Sequence, residues 1–96
     1  MSPKNKIKLN LLRKKLDKLD NRLLSLIKIR SKIVKNVLEL KQYKKEIVDK
    51  KRIKFILNKI KKKSKKLNID PKITNRIWKN MIWSYIDYEK RNFKKK

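Results

Sequence analysis

From Leu9 to Leu40 apolar residues return at steps of three and four, through Leu12, Leu16, Leu19, Leu23, Leu26, Ile33 and Val37, with no proline or glycine between them. That period is the stripe of a helix face that has to be covered. It predicts a first helix from about Ile7 to Lys41, longer than most globular helices, in a chain of 96 residues. So short a helical chain buries a limited core unless it associates with another copy.

One rung of the stripe is missing, and Arg30 fills it. A guanidinium keeps its charge at any ordinary pH, so a seat in a packed seam is costly unless an anion or carboxylate meets it there. Lys41 follows eleven residues later. That is close to three turns, so it lies on the same side of the helix, roughly 16 Å further along. Two extended side chains leaning together from these positions can bracket one small anion. Arg13 stands seventeen residues before Arg30. The helical rise puts it about 25 Å away and on a different face. One helix cannot bring all three cations together, so a shared ligand requires Arg13 from a second copy.

Two further helices account for the rest. Gln42 to Val48 reads as a polar connection, and Asp49 caps a second helix with Ile53, Ile56, Leu57 and Ile60 on one face, fading through Lys61 to Lys66;. Asp70 followed by Pro71 opens the third;. Its inner face is expected to hold Thr74, Ile77, Trp78, Met81, Tyr85 and Glu89, with Ile82 and Ile86 beside them. Trp78 and Trp83 read as packing elements. The whole chain, 1–96, is read as one all-α domain with its core over about 9–92. Residues 93–96 form a basic tail, and Lys94, Lys95 and Lys96 are expected to fray.

The chain has 33 basic and 8 acidic residues, a formal net charge of +25, and no Cys or His. Without thiolates or imidazoles the usual zinc and general-base chemistry is absent, so any catalysis must work by positioning and electrostatics. A charge of this size normally points to nucleic acid or an anionic surface. Most of it is lysine, however, in a chain that also lacks Ala, the best helix former, and is crowded with Lys, Ile, Asn and Leu;. That bias is what a genome poor in G and C produces. The lysines are therefore read as solvated helix faces, and nucleic acid is not the expected partner. No apolar run approaches a membrane span, and the start carries no signal-peptide core, so a cytoplasmic protein is expected.

Glu89 repeats the puzzle of Arg30, because a carboxylate falls four residues after Tyr85 on an apolar and aromatic face. It serves either as an ion-pair partner of a neighbouring lysine or as a ligand contact. The ordered series Leu12-Arg13, Leu16-Asp17, Leu19-Asp20, Leu23-Leu24, Leu26-Ile27, Arg30, Val34, Leu40-Lys41, Val48-Asp49, Arg52 and Ile69-Asp70-Pro71 resembles the all-helical (type II) chorismate mutases. The resemblance implies three helices per chain, intertwined in a homodimer whose two sites draw on both chains. It also implies a cofactor-free, pericyclic conversion of chorismate to prephenate for aromatic amino-acid synthesis. Such a site folds a dianion into a chair-like conformer with cations and meets charge on the ether oxygen with donors.

Carried over residue by residue, the resemblance gives Arg30 and the second copy's Arg13 the substrate carboxylates. Lys41 takes a carboxylate and the ether oxygen, Asp49 and Arg52 line the site, and Glu89 faces the ether oxygen. Two positions depart from the pattern. Ile53 stands where the family commonly has a glutamate for the substrate hydroxyl, and Tyr85 replaces a small hydroxylated residue. Both look more like the related isochorismate pyruvate lyase, which forms salicylate, whereas Asp49 favours the mutase. A carboxylate donates a hydrogen bond only when protonated. Turnover that depends on donation from Glu89 is therefore expected to fall as pH rises through neutrality, and Glu89→Gln to flatten the profile. A non-catalytic basic helical protein is the remaining alternative. Its binding would weaken steeply with salt and ignore Arg30→Ala.

Overall fold

The computed structural model describes residues 1–95. Three helices carry the chain: α1 over Pro3–Leu40, α2 over Lys50–Lys66 and α3 over Pro71–Asn92, with a single 3-10 turn at Lys44–Glu46. No strand occurs among the described residues. The all-α, three-helix expectation therefore holds, with shifted ends. The first helix starts earlier than Ile7, because Ser2 caps it through its side chain to the Asn5 N–H at 3.2 Å, and Pro3 takes the first helical position;. Lys41 lies one residue beyond the last helical residue, its N–H donating to the Leu38 carbonyl at 3.1 Å.

The chain divides into two compact units, Met1–Ile33 and Val34–Lys96. The first is helix α1 up to Ile33, and its apolar stripe is not buried. Leu12, Leu16, Leu19, Leu23 and Leu26 each leave half or more of their surface exposed. The expectation of a covered face is not met within one chain.

In the second unit α2 and α3 pack as a helical hairpin. Both starts follow the sequence signals. Asp49 accepts from the Arg52 N–H at 3.0 Å, and Asp70 accepts from the Lys72 N–H at 2.9 Å;. The lysine run does not fade, since α2 stays helical to Lys66. Its end needs a left-handed residue, and in a chain without glycine Asn68 supplies it at φ 57°;. The Asn68 N–H donates to the Lys65 carbonyl and the Ile69 N–H to the Ser64 carbonyl, which closes the last turn and sends the chain back toward Asp70;.

The core of this unit is small. Leu38, Ile47, Ile82 and Ile86 are buried, with Val48, Ile53, Ile56, Leu57, Tyr88 and Phe93 packed around them. Near the hairpin turn the buried Ser64 and Thr74 hydroxyls share a hydrogen bond of 2.7 Å. Two sequence expectations need correcting here. Ile47, in the segment read as a polar connection, is 3% exposed, because the turn at Lys44–Glu46 folds it inward. Ile77 and Trp83 are each 52% exposed, whereas Ile82 and Ile86 form the α3 seam. Lys94 and Lys95 are exposed and lie past the end of α3; Lys96, the last residue of the expected frayed tail, lies outside the described residues.

Candidate active site

The second unit brings Lys41 and Glu89 together. Lys41 sits just past the end of α1, and Glu89 sits in the last turns of α3, one helical turn after Tyr85. The lysine ammonium donates to both carboxylate oxygens, at 3.2 Å to Oε1 and 3.1 Å to Oε2. Their side chains are 18% and 7% exposed. A surface ion pair contributes little, but this one is withdrawn from solvent, where an unpaired charge is expensive. Glu89 is thus an ion-pair partner, and the lysine it holds is one of the cations that interrupt the α1 pattern. Across 48 residues the chain has fixed a positive group where α3 is otherwise apolar and aromatic.

The remaining candidates of this unit lie on the hairpin. Asp49 and Arg52 occupy the start of α2, joined through the capping bond from the Arg52 N–H to Asp49 Oδ1. Asp49 therefore has a structural duty that is independent of any ligand. The Arg52 guanidinium lies 5.4 Å from the Phe55 ring centroid, and the Lys59 ammonium lies 5.9 Å from the same ring. Phe55 anchors two cations on one flank of α2, a contact that the sequence pattern had not singled out. Ile53 is half-buried against the core, and Tyr85 is half-buried on α3. An aliphatic side chain at Ile53 suits that packing, because a carboxylate there would need a partner.

Arg13 and Arg30 belong to the first unit. Arg13 is exposed and Arg30 half-buried on α1. Seventeen residues of continuous helix separate them. At 1.5 Å per residue that is about 25 Å, so one copy of α1 does not unite them.

Against known families, the type II chorismate mutase model matches residues 12–90. A chorismate mutase of Methanocaldococcus jannaschii is 40% identical over 76 residues, covering 78% of this chain and 77% of that protein. No solved structure matches. The matched region runs from just before Arg13 to just after Glu89, so it spans every candidate site residue named above. The chain belongs to the type II chorismate mutase family.

Proposed function

We propose that this chorismate mutase converts chorismate to prephenate in a cationic, cofactor-free site that a second copy of the chain completes. The observation that carries the reading is the Lys41 ammonium held by Glu89, a pair largely withdrawn from solvent and fixed at the junction of α1 with the α2–α3 hairpin. A fixed cation of this kind stabilises charge that develops on a departing ether oxygen, and it requires no reorganisation at the moment of reaction. Arg30 and Arg13 of the second copy would grip the two carboxylates and hold the chair-like conformer, while Asp49, Arg52, Ile53 and Tyr85 would line the remainder. No proton transfer or redox step is needed, which fits a chain without His or Cys.

The homodimer in this reading is supported by the exposed leucines of α1. Each half-exposed rung recovers roughly 1 kcal/mol when covered, and a second α1 offers the same stripe;. In that assembly the whole chain serves as one domain of an aromatic amino-acid biosynthetic enzyme acting in the cytoplasm.

The test is an assay of the purified protein on chorismate and isochorismate side by side, following prephenate and salicylate. Prephenate is expected, and Arg30→Ala is expected to lose it. Salicylate as the main product would overturn the assignment in favour of the lyase, and silence on both substrates would reject an enzymatic role.

A further inference from the structure

The α2–α3 hairpin has two flanks; Arg52 and Tyr85 of the candidate active site lie toward one, and Ile53 borders both. On α3 Trp83 and Tyr85 lie roughly 160° apart around the helix axis, as do Arg52 and Lys54 on α2. The flank that carries Lys54 and Trp83 is hollowed into a cleft of about 480 Å³. That volume is in the range of small-molecule sites.

Its lining is not simply a solvated lysine face. Val48, Ile53 and Leu57 give it an apolar floor, and Trp83 offers half of its indole surface at the rim. Lys50, Lys54 and Lys61 line it from α2 and Lys79 from α3, and no carboxylate stands among its described lining residues. Asn58 and Asn75 add neutral amide groups, one from each helix. An apolar floor, an aromatic edge and a lining of four lysines are complementary to one ligand chemistry, a compact aromatic ring that bears a carboxylate. Such a ring would cover Trp83 and Leu57, and its carboxylate would be met by ammonium groups of the lining lysines. An α-amino acid is a poorer match, because its ammonium group would enter a cluster of four lysines with no acid to receive it;.

We infer that this cleft is a second ligand site, adjoining the candidate active site at Ile53, for an aromatic carboxylate without an amino group. The inference does not depend on the reaction proposed above. It is tested on the full chain by following the two tryptophan indole N–H signals by NMR, assigned with Trp83→Phe, during titration with four matched probes. These are 3-phenylpropanoate, L-phenylalanine, propanoate and 3-phenylpropanol. Saturable shifts of the Trp83 signal are expected with 3-phenylpropanoate, with the other three binding at least about tenfold more weakly. Lys54→Ala combined with Lys79→Ala is expected to weaken 3-phenylpropanoate about tenfold, while Arg30→Ala leaves its affinity unchanged. All four substitutions are at surface or partly exposed positions, and circular dichroism checks that the helices persist. Equal response to propanoate would mean lysines acting as a diffuse charge, and equal response to 3-phenylpropanol would mean a merely apolar patch. Loss of binding in Arg30→Ala would assign the titration to the active site. Any of these outcomes overturns the inference.

Discussion

The Lys41–Glu89 pair contains both a structural and a chemical demand, and substitutions can separate them. Lys41→Met leaves a carboxylate that is 7% exposed without its cation. The expected loss is about 3–5 kcal/mol, a large share of the stability of a small domain. Replacing both partners, Lys41→Met with Glu89→Leu, removes the charge as well as its counterion and is expected to recover most of that stability in urea denaturation while turnover stays lost. A double variant as unstable as the single one would show that the two residues are not energetically coupled. Glu89→Gln asks the chemical question. The amide keeps an oxygen for Lys41 and adds a donor that needs no protonation. If donation to the ether oxygen limits the rate, Glu89→Gln turns over faster than wild type. A Gln variant no faster than wild type removes Glu89 from that role. Both residues were legible in the sequence because a charge on an apolar face stands out against the period. Their bond was not, since nothing in the spacing of α1 and α3 says that positions 48 residues apart come within 3.2 Å.

At the scale of elements, the starts of α2 and α3 were readable because Asp49 and the Asp70-Pro71 pair carry local chemistry that acts within one turn;. The start of α1 used the same device in Ser2-Pro3, but the apolar stripe drew the expected boundary to Ile7, just ahead of the period that starts at Leu9, rather than to where the helix begins. The end of α2 had no glycine to announce it. Asn68 takes the left-handed turn instead, and this makes a direct prediction. Asn68→Gly is expected to hold or raise stability, and Asn68→Ala to lower it by about 1 kcal/mol, because a Cβ without a compensating polar group disfavours positive φ. Thermal denaturation decides this, and an alanine variant as stable as wild type would mean that the turn adopts another geometry at no cost. Ile47 was missed for a related reason. A short turn at Lys44–Glu46 aims it inward, whereas its neighbours in sequence are polar and predict exposure.

Over the whole molecule, the long apolar stripe and the separation of Arg13 from Arg30 lead to the same requirement. The leucines of α1 from Leu11 to Leu26 stay exposed in one chain, and Arg13 and Arg30 lie too far apart along one helix to share a ligand. In the proposed homodimer a second copy would answer both, because two identical stripes would cover each other and two-fold symmetry would hand each site an arginine from the other chain. Oligomeric state alone cannot distinguish sites that are shared from sites that are merely adjacent, but complementation can. Arg13→Ala and Arg30→Ala are each expected to be inactive as pure proteins, since every site in either homodimer lacks one of the two cations. A mixed dimer is different. The Arg13→Ala chain still brings Arg30, the Arg30→Ala chain still brings Arg13, and one of its two sites contains both while the other contains neither. Denaturing the two variants together in equal amounts and refolding them makes about half the dimers mixed, so about one quarter of wild-type activity is expected to return. If Arg13 and Arg30 served a site within one chain, every site in the mixture would lack one arginine and no activity would return. Measured prephenate formation in the refolded mixture, compared with each variant refolded alone, therefore reports directly whether the arginine at the start of α1 works on its own chain's substrate or on its partner's.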